Sequence, residues 1–304
     1  MKILVTGGAG FIGSNFLDFI INNKMCSEIV VIDNLITGTK DNIKHLMNNI
    51  SFIEADFSEV TTAIFLKENQ FDAIFHFAAL PRIQPSYVRI TEHHNANVTK
   101  VLHLIENLII ASCFDTKFIY SSSSAIYGNS NSFPTKEDAV LCPLSPYAFQ
   151  KLEVENYLIL LSEYYKDLKW TALRYFNPYG PRSFNKKNKD SAYSSVIGIF
   201  LNRKKKNQIL QITGDGEQRR DFIHVNDVAS ANWLSFINYK SNQHYNVGTG
   251  VTHSVNEIAR MISDKFEYTV ERKGEAQITH ADNSKIINDL NWNCKKELML
   301  GGVE

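Results

Sequence analysis

The sequence predicts an α/β protein, a doubly wound parallel sheet followed by a smaller C-terminal α/β lobe. Three observations carry this. Short β-branched runs alternate with longer helix-like stretches through the first half, those runs are almost unbroken in apolar character, and a glycine cluster joins the first of them to a helix. Strand alternating with helix implies crossover connections, which parallel neighbours require. Continuous apolar strands are what a sheet covered on both faces demands. With 304 residues the chain is long enough for one large domain or for two lobes sharing a cleft.

The elements follow in order. Lys2–Thr6 reads as the first strand, and it runs through Gly7-Gly8-Ala9-Gly10-Phe11-Ile12-Gly13 into a helix-like stretch at 14–22. Glu28–Asp33 and residues 51–55, 73–77 and 117–121 read as further strands, and residues 98–112 as a helix. The second half is punctuated by Asn177-Pro178-Tyr179-Gly180-Pro181 and Gly214-Asp215-Gly216, with a polar loop at 185–190 between them. This predicts a nucleotide-binding domain at 1–175 to which the chain returns at 221–248. A second, ligand-binding lobe is predicted at 176–220 and 249–304.

Composition excludes several classes. Lys+Arg and Asp+Glu are equal at 32 each, so no global field favours nucleic acid or an anionic membrane, and any phosphate-bearing ligand must be attracted locally. The basic run 203–206 reads as a solvated surface. Cys26, Cys113, Cys142 and Cys294 lie far apart without CxxC spacing, as reduced thiols of a cytoplasmic protein do, and no metal site is expected. No apolar run reaches about 18 residues and none resembles a signal core, so a cytoplasmic location with no membrane partner is expected.

Two constellations carry chemistry. Glycines at 8, 10 and 13 allow a tight turn, close approach of backbone to a pyrophosphate, and close packing of helix on strand. The helix N-terminus then offers amide donors to phosphate. Asp33 ends the second strand 20 residues after Gly13, where a carboxylate accepts from ribose hydroxyls and repels a 2′-phosphate. This is the Rossmann pattern, and it favours NAD over NADP. Tyr147 and Lys151 stand four apart, on one face of a helix, preceded by the serine run 121–124. An ammonium and the positive nicotinamide ring would lower a phenol's pKa toward neutrality for general base work.

The segments VTGGAGFIGS, Asp33-Asn34, FHFAAL, YSSSSAIYG, SPYAFQK, RYFNPYGPR, GDGEQRRDFIHVNDVA and YNVGTG resemble, in order from Lys2 to about Leu290, the extended short-chain dehydrogenases. They most resemble the NAD-dependent UDP-glucose 4-epimerase group. The resemblance implies Tyr147 as general base, Lys151 on the nicotinamide ribose and Ser123 as hydroxyl partner. It implies Gly7, Gly10, Phe11, Ile12 and Gly13 at the pyrophosphate, Asp33 and Asn34 at the ribose, and Asp56 and Phe57 at the adenine. Ala78, Ala79 and Asn97 are implied to line the cofactor. On the substrate side it implies Asn177, Arg220 and Arg272 at the diphosphate and Glu275 at the uridine ribose. Thr279 is implied to leave room beside the sugar C2 group, so that N-acetyl sugars are accepted.

Plainer readings stand beside these. Arg220 next to Asp221 also reads as a structural ion pair, Arg272 as a surface arginine, and Asn177 before Pro178 as a turn former. His76 and His224 read as satisfied core histidines. Lys100 stands where the group usually has glycine, and Pro81-Arg82 where its members often have a cofactor-contacting lysine. Related dehydratases carry Thr-Asp-Glu where this chain has Ser123-Ser124-Ala125, which disfavours elimination of water. A UDP-sugar decarboxylase or lyase, and a non-catalytic NAD-binding regulator, remain as alternatives. The resemblance further implies a homodimer through the helices near 98–112 and 147–164.

Overall fold

The central strands fall into one parallel sheet because they are buried on both faces, while Ser51–Glu54 closes its edge half-exposed. In the computed structural model, which describes residues 1–187, 193–295, 297, 298 and 300, seven strands pair side by side. They are β1 (Lys2–Thr6), β2 (Glu28–Asp33), β3 (Ser51–Glu54), β4 (Ala73–His76), β5 (Lys117–Ser123), β6 (Lys169–Tyr175) and the strand Gln243–Val247. Their order is Gln243–Val247, β6, β5, β4, β1, β2, β3, and every pairing is parallel. The order reverses between β1 and β4, which opens a crevice at their carboxyl ends.

Helices cover both faces. On one, α1 (Phe11–Asn22) buries Phe16, Leu17 and Ile20 against Trp233 and Phe236 of the helix Val225–Ile237. On the other, Leu104, Ile105 and Leu108 of the helix Lys100–Ile110 meet Val154 and Leu158 of the helix Pro146–Tyr164. Burying each such side chain stabilises the fold by about 1.5–3 kcal/mol.

Three differences from the sequence reading have local causes. β5 runs on to Ser123, two residues beyond the predicted stretch, because Ser121, Ser122 and Ser123 pair in register with Leu173, Arg174 and Tyr175. The helix predicted at 98–112 begins at Lys100, after a wide turn at Asn95–Thr99. β6 and the strand Gln243–Val247 were not anticipated, since Lys169 and Arg174 break the apolar run of one and Gln243, His244 and Asn246 that of the other.

Outside the main sheet, the helices Val196–Lys205 and Val255–Ile262 pack on the strands Leu210–Thr213 and Phe266–Thr269 around Tyr179, Phe200 and Ile258. A three-stranded sheet of Thr252–Ser254, Arg219–Asp221 and Ile278–Thr279 faces the crevice. Of the polar loop at 185–190, residues 188–190 lie outside the described residues.

Candidate active site

A single large cleft of about 780 Å³ runs along the carboxyl ends of the strands and under the smaller sheet. Its first half is built by the glycine turn. Gly7 has φ +73, and a Cβ there would lie 2.5 Å from the Ala78 backbone nitrogen, so β1 and the loop after β4 meet only because no side chain intervenes. At Gly13 a Cβ would lie 2.3 Å from the Gly7 carbonyl oxygen. Gly10 begins α1 with no side-chain cap, leaving the first amides of the helix aimed into the cleft beside Phe11 and Ile12.

Asp33, at the end of β2, accepts from the Ala9 amide at 2.9 Å and from the Leu35 amide at 2.8 Å. It therefore holds the glycine turn as well as facing the cleft. Burial pushes its carboxyl up, and the two amides oppose the shift. Asp56 accepts from Ser58 at 2.8 Å, from Lys100 Nζ at 2.5 Å and from Asn34 Nδ2 at 3.2 Å. Burial works to raise its pKa, but Lys100 and Ser58 outweigh this and hold it below the ordinary carboxylate range. The lysine that replaces a usual glycine thus forms an ion pair at this end of the cleft. Phe57, Ala78 and Ala79 line the wall. Asn97 is 1% exposed and spends its amide on Leu80 and Gln150, so it braces the wall from behind.

The second half begins at the end of β5. Ser123 stands close enough to the Tyr147 phenol to pull its pKa down, and the phenol sits at the first turn of the helix Pro146–Tyr164. Ser145 caps that helix through the Ala148 amide at 3.2 Å, and Pro146 starts it, a signal legible in the sequence. Burial pushes the phenol above its usual value, while Ser123 and the charge of Arg82 pull it down. Lys151, one turn further along the helix, donates to the Ser121 carbonyl at 2.7 Å, with its ammonium 4.9 Å from the Tyr120 ring centre and 6.0 Å from that of Tyr147. Burial pulls it down to about 7, against the opposing charge of Glu155.

Asn177, Arg220, Arg272, Glu275 and Thr279 all line the opposite wall. Arg220 pairs with Glu275 at 3.5 Å and donates to the carbonyls of Arg219 and Gln277. Asp221 is not its partner, since that carboxylate accepts from Thr249, Gly250 and Ala281. Asn177 donates to Thr279 Oγ1 at 2.8 Å and to the Asp221 carbonyl at 3.1 Å. His76 is buried beside Thr6, as a core histidine, and His224 caps the helix Val225–Ile237. The sequence reading missed Ser194 and Ser195, which enter the cleft where the helix Val196–Lys205 begins, although serine before an apolar run is a readable cap. It also missed the buried pair Arg174–Glu155 beneath Lys151, whose partners are too distant in sequence to associate.

Among the described residues no group of His, Cys, Asp and Glu is placed to hold a metal ion, and no helix is long and apolar enough to cross a membrane. A glycine turn at the reversal point of a parallel sheet, with a carboxylate one strand away and a Ser–Tyr pair across the cleft, defines a dinucleotide-binding enzyme fold with a tyrosine at its reacting end. More specifically, the chain belongs to the NAD dependent epimerase/dehydratase family, whose sequence model matches residues 3–248. The UDP-glucose 4-epimerase of Mycolicibacterium smegmatis is 30% identical over 310 residues, covering 99% of this chain and 96% of the relative. Among solved structures, the UDP-N-acetylglucosamine 4-epimerase of Methanobrevibacter ruminantium M1, in complex with UDP-N-acetylmuramic acid, superposes with a TM-score of 0.89. It is 32% identical, over 99% of this chain and 96% of that one. The UDP-glucose 4-epimerase of Thermotoga maritima with UDP-glucose gives 0.88 at 34% identity, over 100% and 96%.

Proposed function

We propose that the protein is an NAD-dependent 4-epimerase of UDP-hexoses, with UDP-N-acetylhexosamines among its substrates. The observation that carries the reading is the Ser123–Tyr147 pair facing Arg220, Arg272, Glu275 and Thr279 across one cleft. In it, residues 1–175 with the return at 221–248 hold the cofactor, and 176–220 with 249–304 hold the sugar nucleotide. The cradle fits NAD: Gly7, Gly10 and Gly13 admit a pyrophosphate to the α1 amides, and Asp33 keeps lone pairs for ribose hydroxyls.

When bound, NAD supplies a hydride acceptor and donor at the sugar C4 carbon. Tyr147 takes the proton from the 4-hydroxyl and returns it to the same oxygen once the turned sugar has been reduced on the other face of C4, while Ser123 holds that oxygen. Arg220 and Arg272 grip the diphosphate, about which the 4-keto sugar turns, and Lys151 fixes the nicotinamide ribose. No carboxylate joins the pair from Ser124 or Ala125, and Glu275 is engaged by Arg220, which supports epimerisation over elimination of water. The free cysteines support a cytoplasmic location. A homodimer through the helices Lys100–Ile110 and Pro146–Tyr164 completes the reading.

Incubation with UDP-N-acetylglucosamine and, separately, UDP-glucose should give the galacto epimers by NMR, and Tyr147→Phe should abolish both. Thr279→Tyr should end turnover of the N-acetyl sugar alone. Thr279→Ser, which keeps the hydroxyl bonded to Asn177, should spare both. Net conversion to a decarboxylated or dehydrated product would replace this reading.

A further inference from the structure

Asp33 ends β2, and the loop that follows it lines the nucleotide crevice with Asn34, Ile36 and Thr37. The chain then turns back on the glycine cluster. Thr39 donates its amide to the Ala9 carbonyl at 3.1 Å, and Asn42 Nδ2 donates to the same oxygen at 2.8 Å. A dinucleotide laid along the glycine turn has its adenosine ribose beside Asp33, so this loop walls the adenosine end of the crevice.

What grips the loop comes from the second lobe. Asn185 Nδ2 donates to the Thr37 carbonyl at 3.0 Å, and Lys187 Nζ donates to the Leu35 carbonyl. The same segment is fastened to α1, whose first amides face the pyrophosphate position. There Arg182 pairs with Asp18 at 2.5 Å, and the Pro181 carbonyl accepts from Nδ2 of the buried Asn15 at 3.0 Å. Its other anchor is the start of the helix Val196–Lys205. The Ser183 carbonyl accepts from the Ser195 amide at 3.0 Å, and Ser194 Oγ accepts from the Asn185 amide at 2.8 Å. The backbone is left-handed on both sides of the joint, with φ +57 at Leu35 and +66 at Arg182. Residues other than glycine hold such angles where the surroundings over-determine them.

We infer that residues 181–187 form a strap that gates cofactor exchange: NAD enters or leaves when Arg182, Asn185 and Lys187 let go of α1 and of the loop after Asp33. All of these bonds run from protein to protein, so the strap governs how fast the cofactor moves and not how tightly it is held. The inference rests on the crevice holding NAD and asks nothing of the sugar. It is compatible with the epimerase reading, in which a hydride lent and returned leaves NAD unchanged after each turnover, so the cofactor has no need to depart.

The test follows nicotinamide fluorescence in the full chain with no sugar present. NADH entry is read by rapid mixing with cofactor-free protein, and exit by a chase of excess NAD. Arg182→Met should speed entry and exit alike, on the order of tenfold, and leave the dissociation constant within about twofold of wild type. Asn185→Ala, which cuts the Thr37 bond, should act in the same direction, and it serves by itself if Arg182→Met fails to melt cooperatively. Lys169→Met removes the exposed pair with Asp115 at the amino end of β6 and should change neither rate. Exit unchanged in the strap variants overturns the inference, as does equal acceleration by Lys169→Met. Faster exit with unchanged entry also overturns it, since the strap would then be part of the binding site and not its gate. A protein that exchanges NADH in this way yet epimerises no sugar upholds the strap and sinks the substrate reading instead.

Discussion

His76, at the end of β4, is 1% exposed, with Nδ1 2.8 Å from Thr6 Oγ1 and Nε2 unpartnered. Burial, aided by the charge of Lys151, pulls its pKa from 6.5 down to about 3. The unfolded chain takes up the proton as pH falls through 6.5, whereas the folded chain refuses it until about 3. Stability from this residue is thus fully present above 6.5 and is lost steadily toward 3. Denaturant unfolding measured across that window should show a smaller pH slope for His76→Gln than for wild type, whatever the change in absolute stability. Identical slopes would remove His76 from the account. The histidine's core placement was legible in the sequence because β4 is apolar on both sides of it. That Lys151, its ammonium 6.0 Å from the Tyr147 ring centre, would donate to the Ser121 carbonyl was not, since spacing along a helix gives the face a residue occupies and not which of several acceptors its long side chain reaches.

Between elements, the key joint is the helix Pro146–Tyr164 against β5 and β6. Lys151 and Glu155, one turn apart, clasp consecutive residues of β5: the Ser121 carbonyl accepts from Lys151, and Ser122 Oγ donates to Glu155 at 2.5 Å. Arg174 on β6, opposite Ser122 in the register, meets both Glu155 oxygens at 3.1 and 2.7 Å. The clasp fixes how far Ser123 stands from Tyr147. Removing one partner leaves a charge in a dry core, so Glu155→Gln should destabilise the fold by about 3–5 kcal/mol. Adding Arg174→Met should restore much of that loss in a double-mutant cycle by chemical denaturation, and additive losses would show the pair to be uncoupled. The glycine turn was readable because seven consecutive residues build it. The clasp was not, because its members come from three elements joined only by the sheet register, and the charge of Arg174 hid the strand that carries it.

At the scale of the molecule, the strand–helix alternation gave the sheet and its nucleotide crevice. The smaller sheet facing them was less legible, since its strands are two or three residues long and are stitched together from distant parts of the chain. One large feature is still uncovered. The helix Pro146–Tyr164 exposes Phe149, Tyr157, Leu160 and Tyr164 along a face of roughly helical spacing, with Leu160 61% and Tyr164 80% exposed. Ile110, on the adjoining helix Lys100–Ile110, is 64% exposed. An apolar stripe spanning two neighbouring helices suits a two-fold interface, in which each copy offers the same patch and four helices pack together. Sedimentation of the NAD-loaded protein at micromolar concentration should therefore give a dimer. Leu160→Glu with Tyr164→Glu should give a monomer that retains NAD, because the stripe lies on the far side of the helix from the cleft residue Tyr147. A wild-type monomer would leave the stripe without this explanation. Because the same helix carries Tyr147 and the Glu155 clasp, the monomeric variant should also lose kcat more than affinity, its tyrosine being set on a helix that has lost half of its packing.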